Sequence, residues 1–241
     1  MTSDTALQSS KYFRAYDERS WWERQWFRFS VWAVGVFFRL GCRLHIEGGE
    51  HIPRQGSVLL ASNHVSMLDA LLIPYTVIRL QGLQVVWSPA KEELFQVPVL
   101  GTVLRSWGSF PVRRGRGDLR AMRQIMTLLR RGKLMLFPEG TRSVDGQLGA
   151  GQRTVGKFIY YTKPVVVPIA VCGTEGFFPR GARFPKFRIP IAIRYGAPLD
   201  LRPYYDLPDS KQTAEAIVRD VMSAIAKLQQ AVSSQVDRDT R

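Results

Sequence analysis

From residue 57 onward, short apolar runs alternate with stretches of helical periodicity. That alternation constrains the fold more than any other feature of the chain. Residues 58–61 (VLLA), 83–87 (LQVVW), 109–112 (SFPV), 133–137 (KLMLF), 165–170 (VVVPIA) and 189–195 (IPIAIRY) have strand length and read as strands. Residues 67–80, part of 92–106, 118–130, 154–162 and 211–231 read as helices. Pro74 is expected to bend or interrupt the first, and Pro98 and Gly101 to break the second. In 118–130, Asp118 is a plausible cap, and Leu119, Met122, Ile125, Met126 and Leu129 form one apolar stripe. A further short strand is read at 45–50, ending in the Gly48-Gly49 turn. The pattern predicts an α/β fold, with a mixed, partly parallel sheet flanked by helices. The 241 residues suffice for one large core, and no repeat or long linker divides them.

Ahead of this region, residues 21–38 read WWERQWFRFSVWAVGVFF. Trp22, Trp26, Phe29, Ala33 and Phe37 recur at helical spacing, so 21–43 reads as an aromatic helix. Its uncharged run, 29–38, is only ten residues, whereas a membrane crossing needs about 20. Arg24, Arg28, Arg39 and Arg43 flank that run. Tryptophan favours the membrane interface and arginine favours lipid phosphates. A helix lying in one leaflet is therefore expected, the alternative being a helix docked on the core. The expected organisation is an N-terminal membrane-associated helical element, 1–44, and an α/β domain, 45–241.

Two cysteines and three histidines argue against a disulfide framework, a thiolate zinc site or a catalytic metal cluster, so no metal is expected. The first twenty residues are polar and mixed in charge, unlike a secretory signal. The formal charge of +14 attracts phosphates of nucleic acid, anionic lipid or a phosphorylated ligand. No zinc-finger spacing or RNA-recognition motif is present, so an anionic membrane surface is the expected partner and nucleic acid is not.

Two strings carry chemistry. Residues 63–69 read NHVSMLD. His64 can take a proton from an alcohol, and Asp69 can fix its tautomer and stabilise the resulting imidazolium. On a regular helix residues five apart point about 140° from each other, so the pair meets only if His64 precedes the first turn and Asp69 lies within it. Asn63 and Ser66 suit the turn itself. No nucleophile elbow is visible, and attack by a substrate hydroxyl needs none. Residues 137–143, FPEGTRS, follow an apolar strand, at the end where open α/β sheets bind ligands. Pro138 stiffens the exit, and Glu139 is read as orienting an arginine or the ligand. Gly140 permits a tight turn, Thr141 and Ser143 offer hydroxyls, and Arg142 offers a planar donor fork for phosphate. The plain alternative is a loop with an internal Glu–Arg pair. Residues 110–114, FPVRR, repeat the logic, with Arg113 favoured for a buried ligand and Arg114 or Arg116 facing solvent. Lys91 is placed near the site. Arg180, Arg183, Lys186 and Arg188, interleaved with Phe177, Phe178, Phe184 and Phe187, form a basic–aromatic patch that grips an interface or covers a core edge.

These strings, in this order, resemble the glycerolipid acyltransferase family, especially bacterial 1-acylglycerol-3-phosphate acyltransferases. The likeness covers roughly residues 45–200. Asn63-His64…Asp69 resembles the catalytic block, 110–113 the second, 137–143 the third and 167–170 (VPIA) the fourth. The resemblance implies that His64, oriented by Asp69, deprotonates the free hydroxyl of a lysophospholipid, which attacks an acyl thioester. It implies an acceptor phosphate site formed or organised by Arg113, Glu139, Gly140, Thr141 and Arg142, with Pro168 shaping the substrate wall. The partners would be lysophosphatidic acid and acyl-CoA or acyl carrier protein, with no cofactor beyond the thioester donor. The place would be the cytoplasmic face of the cell membrane, by monotopic or peripheral association. The oxyanion donor stays open, a backbone N–H near Ser66 or in the Gly140 turn being candidates. Two alternatives remain: an acyltransferase with another lysolipid or glycolipid acceptor, and a non-catalytic basic domain binding membrane or nucleic acid.

Overall fold

The computed structural model describes residues 13–113, 119–143, 146–177, 184 and 186–240. Its helices are α1 (Trp21–Gly41), α2 (Asp69–Gln81), α3 (Pro98–Ser106), α4 (Leu119–Arg131), α5 (Arg153–Thr162), α6 (Arg202–Tyr205) and α7 (Lys211–Thr240). Its strands are β1 (Cys42–Glu47), β2 (Val58–Ser62), β3 (Ser88–Lys91), β4 (Ser109–Val112), β5 (Lys133–Leu136), β6 (Val165–Cys172) and β7 (Ile189–Tyr195). Five strands form one sheet in the order β1-β7-β6-β2-β5, parallel throughout except for the antiparallel β6–β7 pair. β3 and β4 form a parallel pair of their own, tied to the edge of β5 by a bridge between Trp87 and Leu134.

The strands read as unbroken apolar runs because both faces of the sheet are covered. In β2 and β5, alternate residues serve opposite layers. Leu59, Ala61, Leu134 and Leu136 pack with Leu128 and Leu129 of α4, Ile159 of α5 and Ile217 of α7. Val58, Leu60 and Met135 pack with Leu72, Ile73 and Val77 of α2 and Phe38 of α1. Pro168 fits within the central strand β6 for a related reason. Its carbonyl accepts from Gly196 N–H, just beyond the last β6–β7 partner, Tyr195. Its missing donor faces that same side, where the ladder has ended.

Several expectations are corrected. Pro74 lies inside α2 without ending it. Pro98 opens α3, where a missing N–H costs nothing, and Gly101 lies within the helix. A Cβ at Gly101 would stand 2.5 Å from the Phe95 carbonyl oxygen, so glycine there serves close packing. Residues 83–86 are not strand; only Trp87 joins the ladder, and β3 begins at Ser88. The strand read at 45–50 starts earlier, at Cys42, and gives way to a 3-10 turn at Gly49–His51. On α4 Leu119 is exposed, while Ala121 and Leu128 join the buried face. Asp118 lies outside the described residues, and α7 runs past residue 231 to Thr240.

α1 carries apolar side chains on two faces. A capping box joins Ser20 and Glu23 at its start. One face is buried: Phe27 meets Trp107 edge-on, Ser30 Oγ accepts from Trp107 Nε1 at 3.0 Å, and Phe38 stacks on Tyr75 of α2. The other face exposes Trp22, Trp26, Phe29, Trp32, Val36 and Leu40. The helix is therefore docked on the body and also presents an aromatic stripe outward. Among the described residues no helix is long and apolar enough to cross a membrane.

Candidate active site

Strand β2 delivers the 63–66 segment to the carboxyl end of the sheet, and β5 delivers 137–143 beside it. Asn63 continues the β2–β6 contact through its side chain: Nδ2 donates to Val171 O (2.9 Å) and Oδ1 accepts from Val171 N (2.8 Å). The chain then turns, so His64 lies outside any helix and Asp69 is the first residue of α2. This departure from helical geometry lets residues five apart meet. His64 Nδ1 lies 3.0 Å from Asp69 Oδ2.

Asp69 is fully buried, and every contact it makes suits an ionised carboxylate. Besides the imidazole, Oδ2 accepts the Val65 and Ser66 N–H groups, each at 2.8 Å. Oδ1 accepts from Thr174 Oγ1 at 2.6 Å. The α2 N-terminus adds the favourable end of its dipole. Because the carboxylate is an acceptor, Nδ1 of a neutral imidazole must carry the proton and Nε2 the lone pair. Phe137 stacks on the imidazole, with centroids 3.8 Å apart and planes inclined by 10°. Nε2 has no hydrogen-bond partner among the described residues, and the His64 side chain keeps 10% of its surface exposed. Nε2 is therefore available as a base.

The second string holds the first in place. Residues 137–140 form a turn closed by Gly140 N–H to Phe137 O, with Gly140 at φ 71°. A Cβ there would stand 1.9 Å from Gln152 Nε2. Glu139 is buried, and instead of an arginine it grips two backbone amides, His64 N–H (3.2 Å) and Gly149 N–H (2.9 Å). Ser143 N–H returns to His64 O at 2.7 Å. Arg142 is the residue beside Ser143, so that bond holds it against the His64 backbone. Its side chain is exposed and makes no hydrogen bond or ion pair among the described residues. Thr141 is exposed next to it.

Other sequence candidates lie differently. Arg113 is an exposed side chain whose guanidinium pairs with Glu92 (2.6 Å), not the buried ligand contact expected of it. Lys91 pairs with Glu93 at the surface. Pro168 is buried in β6, in register with Ala61 of β2. Arg114, Arg116, Phe178, Arg180 and Arg183 lie outside the described residues. Of the amides near Ser66 and in the Gly140 turn, Ser66 N–H is engaged by Asp69 and Gly140 N–H by Phe137 O, while Thr141 N–H has no acceptor among the described residues. Thr174, Gly149 and Gln152 were not legible as site residues. A lone threonine 105 positions from its carboxylate leaves no local signal.

Comparison with known proteins fits this geometry. A family model described as acyltransferase matches residues 43–172. A chloroplastic 1-acyl-sn-glycerol-3-phosphate acyltransferase of Arabidopsis thaliana is 32% identical over 145 residues, 58% of this chain and 39% of that protein. A 1-acyl-sn-glycerol-3-phosphate acyltransferase of Pseudomonas aeruginosa is 29% identical over 218 residues, 87% of this chain and 80% of its own length. The chain thus spans about two fifths of the plant relative and most of the bacterial one. The crystal structure of the 1-acyl-sn-glycerophosphate acyltransferase PlsC from Thermotoga maritima superposes with a TM-score of 0.63 at 23% identity, over 86% of this chain and 79% of the other. At that identity the superposition speaks for the fold.

Proposed function

The chain belongs to the acyltransferase family, and from that premise we propose that it moves a fatty acyl group from an acyl thioester to the free sn-2 hydroxyl of 1-acylglycerol-3-phosphate, yielding phosphatidic acid. One observation carries the reading: an imidazole whose Nδ1 is held by a buried carboxylate while Nε2 stays accessible. In the proposed reaction Nε2 takes the proton of the acceptor hydroxyl as its oxygen attacks the thioester carbonyl. The Asp69 carboxylate stabilises the imidazolium that forms. The tetrahedral intermediate collapses with C–S cleavage, and the departing thiolate takes the proton back from Nε2. No protein nucleophile enters the sequence.

Arg142 supports the acceptor assignment, since it is an unpartnered guanidinium tethered beside the base. The backbone N–H groups of Thr141 and Arg142 have no acceptor among the described residues, which makes them donors for the phosphate or the developing oxyanion. In this scheme Glu139 and Gly140 organise the site, and Arg113 contributes only by leaving Glu92. Pro168 lies in the sheet in register with Ala61, and Lys91, paired with Glu93, is given no role. The exposed stripe of α1 supports peripheral or monotopic attachment to the cytoplasmic face of a membrane, with 1–44 as the attaching element and 45–241 as the catalytic domain.

The test is a panel of lysolipid acceptors offered with acyl-CoA or acyl carrier protein donors, products being identified by mass. Thioester-dependent formation of phosphatidic acid, with lysophosphatidic acid preferred, is expected. Acylation of a different lysolipid would move the assignment within the family, and no thioester-dependent product would overturn it. Arg142→Ala should weaken phosphate-bearing acceptors selectively. An equal loss with a phosphate-free acceptor would remove Arg142 as the phosphate reader.

A further inference from the structure

A groove of about 710 Å³ opens between α1, α2 and β1, within the ~300–1,000 Å³ usual for ligand sites. Its walls are largely apolar, with Val31, Trp32, Val36, Phe38, Leu44 and Tyr75 prominent. Two arginines, Arg39 and Arg79, also line it, and its lining contains no acidic side chain. Neither guanidinium has a hydrogen-bond or ion-pair partner among the described residues. Trp32 and Val36 belong both to the groove and to the outward aromatic stripe of α1, so the opening is continuous with that surface. None of His64, Asp69, Glu139 or Thr174 lines it. Along α2, Arg79 lies about 15 Å from Asp69 at 1.5 Å per residue.

We propose that this groove binds one anionic diacyl phospholipid, its phosphate between Arg39 and Arg79 and an acyl chain along the apolar wall, at a site separate from the reacting centre. Unpaired guanidinium groups, no opposing carboxylate and a long apolar trough match that molecule's two parts. A soluble phosphate would leave the trough empty, and a neutral lipid would leave both cations unmatched. Gly35 keeps the trough open beside α2, because a Cβ there would meet the Tyr75 hydroxyl at 3.2 Å.

The experiment needs no turnover, so it stands or falls apart from the acyl-transfer reading. The full chain is titrated calorimetrically with monomeric dioctanoyl-phosphatidylglycerol, with the phosphatidylcholine analogue and with glycerophosphoglycerol. Saturable one-site binding of the first, at least tenfold tighter than either of the others, is expected. R39Q/R79Q should weaken it tenfold or more, V36W should weaken it by blocking the trough, and R142Q should leave it unchanged. Equal affinity for the phosphatidylcholine analogue, indifference to both groove variants, or displacement by palmitoyl-CoA would each overturn the proposal. The last outcome would give the trough to the donor's acyl chain.

Discussion

Asp69→Asn separates the electrostatic work of the carboxylate from its structural work. Where a single donor faces a carboxylate, an amide replacement can turn its NH2 toward the histidine and impose the wrong tautomer. Here the position of Oδ2 receives two backbone donors, Val65 and Ser66 N–H, as well as the imidazole. Only the amide oxygen suits that position. The NH2 then falls where Oδ1 was, and the Thr174 hydroxyl can rotate to accept from it. The Asn variant should therefore fold, keep Nδ1 protonated and lose only the negative charge. At an effective dielectric of about 20, opposite charges about 4 Å apart attract by about 4 kcal/mol, which is about three powers of ten in rate. Single-turnover rates at saturating thioester should fall about 10³-fold in D69N, with a melting temperature within about 3 °C of the parent. D69A should lose comparable activity but be far less stable. It strands the Val65 and Ser66 N–H groups, the imidazole Nδ1–H and the Thr174 hydroxyl, at about 1–3 kcal/mol for each that stays buried. A D69N rate within tenfold of the parent, or a D69N melting point as low as that of D69A, would refute the reasoning.

Thr174→Val removes the one donor to Asp69 Oδ1 among the described residues and should cost about 1.5–3 kcal/mol in urea unfolding, with Thr174→Ser restoring most of it; equal stability of the two variants would count against the bond. Gly140→Ala places a side chain at φ 71° and should cost about 1–2 kcal/mol, with a fall in kcat because the turn carries Glu139; an unchanged thermal midpoint would show that the turn relaxes freely. Lys133 is buried, its ammonium donates to Arg54 O, and burial lowers its pKa. The unfolded chain, titrating at about 10.4, holds that proton more firmly, so between the two values the unfolded state binds more protons and stability from this group rises with pH. The stability gap between Lys133→Met and the parent should shift in the parent's favour as pH rises through that alkaline window, and a gap constant with pH would contradict the assignment.

The sheet was legible because its strands are buried on both faces, so 133–137, 165–170 and 189–195 stood out as apolar runs without needing alternation. Boundaries failed where local chemistry was ambiguous. Residues 83–86 are as apolar as a strand, but the chain joins β5 only at Trp87. Pro98 was read as a breaker, although it occupies a first helical turn, and Pro74, read as bending or interrupting its helix, does not interrupt α2. On α1 the exposed stripe showed in the spacing of Trp22, Trp26 and Phe29, whereas the buried one, Phe27 to Phe38, is interrupted by Ser30. Ser30 is buried with its hydroxyl donating to Phe27 O and accepting from Trp107, just past the end of α3.

The site divides along the same line. His64 and Asp69 were legible as a pair because both sit in one loop. Their supports, Thr174 and Glu139, come from segments that only the sheet brings near. The polar residues that made 137–143 conspicuous turn out to be spent largely on geometry. Glu139 holds the His64 amide, Gly140 closes the turn, and Ser143 N–H takes the His64 carbonyl. With Asp69 on Nδ1 and Phe137 against the ring face, the imidazole is held at its edge, its face and its backbone, leaving Nε2 as its one uncommitted polar atom. A base so confined loses little orientational entropy when an alcohol approaches. That accounts for two distant strings serving one ring, and it leaves Thr141 and Arg142 as exposed side chains of the second string without a structural partner among the described residues.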